Sequence, residues 1–199
     1  MNPPRHRLLT ALAAALLAAV PAARAQNLIP NGDFEHQQGA LFGWITDYAW
    51  TGNSKIAGNK GCVTVEDGAA RFKSPGNQGA KMECVPIPFE PGFRYTAEFQ
   101  VKGGPYRIYF AGYKWKPGIR PHDNPELGEL RMIYKSKALA QQSRSTDNEK
   151  IELPGVELSP QAKAALKPVR FLTLYVWMLG DGSIDKVRIT RTADPKMKF

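Results

Sequence analysis

Arg94-Tyr95-Thr96-Ala97-Glu98-Phe99-Gln100-Val101-Lys102 is the stretch on which the fold is decided. Successive side chains of an extended chain point to opposite faces, so Tyr95, Ala97, Phe99 and Val101 make one apolar row and leave Thr96, Glu98 and Gln100 on the other side. The same two-residue rhythm runs through both flanks. Cys62 to Glu66 and Ala69 to Lys73 enclose Asp67-Gly68, a two-residue hairpin turn by composition. Lys81 to Ile87, Pro105 to Trp115, Gly128 to Lys137, Val169 to Leu179 and Ser183 to Arg191 are further predicted strands, with Gly103-Gly104 and Gly180-Asp181-Gly182 as turns. Short strands at this spacing mean an all-β sandwich or barrel. Helix is confined to one connector, Gln161 to Lys167, with Ser159 as its cap, Pro160 at its first position and Pro168 beyond its end. The polar stretches from Lys116 to Glu126 and from Gln141 to Glu149 are expected to be loops.

The composition agrees with one globular domain. Of 199 residues 43 % are hydrophobic, and 18 Gly and 16 Pro supply turns, which excludes disorder, collagen and coiled coil. Residues 1–25 read as a secretory signal peptide: Arg5 and Arg7, an apolar run from Leu8 to Val20, and Ala23-Arg24-Ala25 as an A-x-A cleavage site. That run is too short to span a bilayer, so no membrane span is expected. The mature domain, 26–199, is expected to be secreted or periplasmic. Loss of Arg5, Arg7 and Arg24 lowers the formal charge from +9 to +6. The remaining cations, Arg107 and Lys114 among them, are interleaved with aromatics, as on solvated strand faces or a surface weakly attractive to an acidic polymer. Export and the lack of a recognisable motif argue against nucleic acid as a partner. Cys62 and Cys84 are the two cysteines, and an oxidising compartment would join them in a structural disulfide.

Strand parity also places large rings away from the core. If Tyr106, Ile108 and Phe110 are buried, then Arg107, Tyr109, Tyr113 and Trp115 face outward; if Leu172, Leu174, Val176 and Met178 are buried, then Thr173, Tyr175 and Trp177 do. Two readings stand. The polar segment after Lys116 could cover these rings as a second small core, or they could form a sugar-binding surface, since ring faces stack on the C–H patches of pyranoses. On the second reading Tyr109, Tyr113, Trp115, Tyr175 and Trp177 would stack on sugar, while Glu98, Gln100 and Arg107 would bond hydroxyls, or an acidic group in the case of Arg107. Trp50, in a segment before a Gly- and Asn-rich loop at a sandwich rim, is a further candidate.

The opening stretch Asn27-Leu28-Ile29-Pro30-Asn31-Gly32-Asp33-Phe34-Glu35, followed by Gly43-Trp44, resembles the start of the cellulose- and xylan-binding modules of the galactose-binding-domain-like superfamily. Pro91-Gly92-Phe93-Arg94-Tyr95-Thr96 is similar to that family's approach to a central strand, and Gly182-Ser183-Ile184-Asp185-Lys186-Val187-Arg188-Ile189 to its closing strand. The resemblance implies a jelly-roll β-sandwich of two antiparallel sheets and a noncatalytic carbohydrate-binding role. It also implies a structural calcium, with Glu35 and Asp185 matching the acids of the opening and closing motifs. By parity with Val187 and Ile189, Asp185 is expected to point inward, where a cation would satisfy it. Where the family often carries a second acid after the closing Asp, this chain has Lys186. Trp44 reads as a packed anchor.

Little supports catalysis. His36 and His122 are the only histidines after residue 25, neither in an H-E-x-x-H pattern, and no Ser occupies a G-x-S-x-G elbow. Glu98 with Arg107 is the most plausible catalytic pair, as a minor alternative. The chain is therefore read as not an enzyme. A sugar-binding sandwich is the first reading, and an envelope structural or protein-interaction sandwich that has lost sugar binding is the second.

Overall fold

The computed structural model describes residues 26–46, 61–74, 79–141, 146–153 and 159–198. The expected signal peptide, and Trp50 with it, lie outside these described residues. Among them are twelve strands: β1 (Trp44–Thr46), β2 (Val63–Glu66), β3 (Ala69–Lys73), β4 (Ala80–Cys84), β5 (Ile87–Pro88), β6 (Phe93–Gly103), β7 (Tyr106–Trp115), β8 (Leu130–Lys135), β9 (Leu139–Gln141), β10 (Thr146–Leu153), β11 (Phe171–Met178) and β12 (Asp181–Ala193). One helix, α1 (Pro160–Leu166), connects β10 to β11, and the Ser159 hydroxyl caps it by accepting the Ala162 N–H. No helix among the described residues is long and apolar enough to cross a membrane.

The strands form two antiparallel sheets. Sheet 1 runs β1-β4-β11-β7-β8, with β5 also on β11 and β9 on β7; sheet 2 runs β10-β6-β12-β3-β2. Their facing sides close one core. Tyr95, Ala97, Phe99 and Val101 from β6 meet Tyr106, Ile108 and Phe110 from β7 and Leu172, Leu174, Val176 and Met178 from β11, as the alternation predicts. Trp44 belongs to this core. The fold is a jelly-roll β-sandwich. In the β2–β3 hairpin, Asp67 and Gly68 both take positive φ (54° and 69°), the backbone that a two-residue turn between twisted strands requires.

One expected loop is a strand. Within Gln141 to Glu149 the polar residues hide the beginning of β10, whose Glu149, Ile151 and Leu153 pair with Phe99, Ala97 and Tyr95 of β6. Among the described side chains of β10, Ile151 and Leu153 reach the core, an alternating signal too short to stand out from its polar surroundings.

Asp185 is also placed differently from expectation. β12 pairs Asp185 with Gln100 and Arg188 with Glu98, so one extra residue bulges between them. Lys186 in the bulge adopts φ 50°. The extra residue reverses the parity: Ile184 and Val187 both face the core, and Asp185 turns outward beside Gln100.

The opening motif is the partner of that bulge. The Leu28 N–H donates to the Ile189 carbonyl (2.7 Å) and the Val187 N–H to that of Gly32 (2.7 Å). The Asn27 amide reaches the same strand twice, donating to the Val187 carbonyl (3.2 Å) and accepting the Ile189 N–H (2.8 Å). Asn31, 1 % exposed, donates to the Ala40 carbonyl and accepts the His36 N–H, while its own carbonyl accepts the Trp44 indole N–H at 2.7 Å. Phe34 sits at φ 58°, buried with its ring 5.3 Å from that of Trp44. Gly32 is required by space, because a Cβ there would lie 1.7 Å from the Val187 carbonyl oxygen.

Gly32→Ala is therefore expected to cost about 2–3 kcal/mol, or to prevent folding, since the added carbon meets backbone and not a movable side chain. Gly128→Ala, where nothing lies within 4 Å of the new carbon, should change stability by no more than about 0.5 kcal/mol. Urea unfolding of the two variants checks this, and equal midpoints would refute the clamp.

Candidate functional site

The side of sheet 1 turned away from the sandwich core carries the rings that strand parity predicted. Antiparallel register arranges them in rows across β4, β11 and β7. Lys81, Trp177 and Arg107 are neighbours in one row, and Glu83, Tyr175 and Tyr109 in the next. Thr173 and Ala111 follow, then Phe171 and Tyr113. Side chains directly opposed on neighbouring strands sit with Cβ atoms about 5 Å apart, so each row is a line of contacts.

These rings are more covered than an open platform would be. Tyr109, Tyr113 and Tyr175 are each 6 % exposed and join Ala111, Leu130 and Phe171 in a second apolar cluster. Leu127, Met132 and Ala138 pack against it, so the segment after Lys116 does contribute a small core of its own. The Tyr109 and Tyr175 rings are stacked, with centroids 4.6 Å apart and planes at 18°. Trp115 and Trp177 remain half-exposed at opposite ends of the face. The Trp115 ring stands edge-on to Phe171 at 5.4 Å and lies 5.0 Å from His122. His122 is exposed and bonds Glu129 at 3.1 Å.

At the centre is Glu83, a carboxylate with no solvent exposure. One of its oxygens accepts both the Thr173 hydroxyl, at 2.5 Å, and the Tyr113 hydroxyl. An unsupported carboxylate in such a place would cost several kcal/mol, and two donors to an ionised acceptor contribute roughly 1.5–3 kcal/mol each. Lys81, two residues back on β4 and 6 % exposed, lies on the same face. Burial lowers the Lys81 pKa, and the charge of Glu83 opposes that shift. Neither residue was among the sequence candidates, although Lys81-Met82-Glu83-Cys84 places both charges outward by the same parity that located the rings.

The structure separates other predicted residues from this face. Glu98 and Gln100 lie on β6 in sheet 2, on its outer side, opposite Arg188 and Asp185. They cannot share a ligand contact, or a catalytic pairing, with Arg107. Parity alone distinguishes inward from outward; it does not say to which sheet an outward row belongs.

The residues expected for calcium do not fit a cation. Glu35 is exposed beside the β2–β3 turn. The Asp185 carboxylate, outward at the bulge, already accepts the Lys186 N–H at 2.5 Å, so the inward charge that called for a metal is not there. Among the described residues no three His, Cys, Asp or Glu side chains gather into a set that could hold a metal ion. Cys62 and Cys84 are thiols buried in the main core, and burial pushes that of Cys84 up to about 12. Its sulfur accepts the Leu174 N–H at 3.1 Å.

Searched by sequence, the chain matches no family model and no curated protein. By structure it is similar to a solved protein described as "CBM4 structure and function", with TM-score 0.48 and 15 % identity, covering 82 % of this chain and 99 % of that one.

The covered tyrosines have a measurable consequence. Burial pushes the Tyr109 phenol up to about 12 and raises Tyr113 and Tyr175 too, with the charge of Glu83 adding to each. An acid whose folded pKa lies above its unfolded value, about 10 for tyrosine, contributes stability in full below pH ~10 and loses it as pH rises from there. Lys81 acts in the opposite sense, as one group against three. Urea midpoints are expected to begin falling near pH 9, where the unfolded Cys84 thiol ionises, and to fall steeply above about pH 10, with phenolate absorbance at 295 nm in the folded protein lagging behind that of the unfolded chain. A folded titration superimposable on the unfolded one would contradict the burial of these rings.

Proposed function

We propose that the chain is a noncatalytic carbohydrate-binding β-sandwich whose ligand lies along β7 and β11 on the outer face of sheet 1. The observation that carries this is the placement of two half-exposed tryptophans at opposite ends of one ring-lined face. Trp177 pairs with Arg107, and Trp115 lies eight residues further along β7. At a strand rise of about 3.3 Å per residue the two are roughly 26 Å apart, room for several sugar rings. The stacked tyrosines and the Glu83 network serve as a rigid floor, and the tryptophans as platforms. Preorganised aromatic surface of this kind binds at low entropic cost because no long side chain has to be fixed.

Affinity electrophoresis through gels containing soluble glycans tests the reading. Retardation by at least one glycan is expected, with Trp177→Ala and Trp115→Ala each weakening it by about tenfold, equivalent to about 1.4 kcal/mol. Thr64→Ala, exposed on β2 of the opposite sheet, should leave mobility unchanged. The second reading, a protein-interaction sandwich without sugar binding, is favoured by the near-complete burial of Tyr109, Tyr113 and Tyr175. No retardation by any glycan, with the protein folded, would transfer the conclusion to it.

Export completes the proposal: residues 1–25 direct the chain to an oxidising compartment, where Cys62 and Cys84 become a disulfide. Supporting this, both sulfur-bearing side chains belong to one core, and β2, which follows Cys62, contacts β4, which ends at Cys84. In the loop-closure model a bridge of this span stabilises by about 3 kcal/mol. Protein recovered from the periplasm or medium is expected to show no thiol on denaturation without reductant, and to lose several degrees of Tm with it. Two titratable thiols in unreduced exported protein would refute the bridge.

A further inference from the structure

Resting on the sugar-binding reading, we infer that the ligand of this face is an anionic glycan, carrying a carboxylate at the sugar stacked on Trp177. The argument starts from the row Lys81, Trp177, Arg107. Trp177 is the one aromatic in that row and the half-exposed one, and it has a cation on the neighbouring strand to either side. The Arg107 guanidinium carbon lies 6.0 Å from the indole centroid. Arg107 is exposed, and no carboxylate among the described residues forms an ion pair with it. Gly79 lies against the indole, and its missing side chain makes room for the ring: a Cβ there would be 2.0 Å from Cε2 and Nε1. The platform thus has an exposed guanidinium beside it on β7 and the buried Lys81 on its other side.

A further cation lies on the same face. Lys135 is exposed on β8 with its ammonium 5.6 Å from the Tyr109 centroid. The acid on this face, Glu83, is fully buried and accepts hydrogen bonds from Tyr113 and Thr173, so it presents no carboxylate to a ligand. Beside Trp177 the side chains on both neighbouring strands are cations, which can donate to a ligand oxygen but cannot accept from a hydroxyl. A carboxylated sugar matches them, because a planar guanidinium meets a carboxylate with two parallel hydrogen bonds.

The test is affinity electrophoresis on three gels: polygalacturonate, the same polymer with its carboxyls reduced to alcohols, and polyglutamate. Retardation is expected on polygalacturonate, weaker by about tenfold or more on the reduced polymer, and fading as salt rises from about 20 mM to about 300 mM. Arg107→Gln should abolish the preference for the charged polymer, whereas Arg107→Lys should restore part of it. Equal retardation on the reduced polymer would overturn the anionic ligand while leaving sugar binding intact. Equal retardation on polyglutamate would also overturn it, by showing charge attraction without sugar recognition. No retardation on any of the three would overturn it, and retardation by other, neutral glycans would then show that the broader reading survives.

Discussion

Everything at the candidate site depends on β11 being buried on both faces. Leu172, Leu174, Val176 and Met178 close the sandwich core, while Phe171, Thr173 and Tyr175 are almost as covered on the other side. A central strand of an antiparallel sandwich usually needs only one apolar face. Here the second face is packed as well, so the outer side of sheet 1 is a rigid continuation of the interior and not a solvated surface. Rigidity of this kind lets half-exposed rings at its ends hold fixed positions.

Bonded to the second cluster is Glu83, a carboxylate that is costly to bury. A buried carboxylate is tolerated only where donors meet it in good geometry, and Glu83 is met by hydroxyls from two different strands, Thr173 on β11 and Tyr113 on β7. Those bonds tie β4, β11 and β7 together on the outer face, just as apolar contacts do on the inner one. The Tyr109–Tyr175 stack adds about 0.5–1.5 kcal/mol beyond its buried area. That is less than the loss of either Glu83 donor would cost, so the polar network and not the stack sets the geometry of the face.

Much of this could be read from the sequence because period-two patterning is a direct imprint of sheet geometry. The inward rows of β6, β7 and β11, the Asp67-Gly68 turn and the helix cap at Ser159 each follow from a local rule. Strand parity sends Asp185 inward, whereas a bulge at Lys186, a residue without the freedom of glycine, shifts the phase by one with no signal in the sequence. Parity groups Glu98 with Arg107 because outwardness is local, whereas sheet membership is set by long-range pairing. Glu83 is hidden in the sequence for a related reason: a charged side chain on an outward parity position reads as solvated until its partners, 30 and 90 residues away, are brought to it.

The opening motif shows how a local sequence can be fixed by a distant irregularity. The bulge in β12 leaves backbone groups out of register with β6, and polar backbone groups left without partners at a buried edge are expensive. Asn27, with one donor and one acceptor on the same amide, meets Val187 and Ile189 on either side of Arg188, and Gly32 lets the two backbones touch. A longer side chain at 27 could not supply both bonds from so close, and any Cβ at 32 would hold the segments apart. The asparagine and the glycine are therefore set by the shape of the last strand.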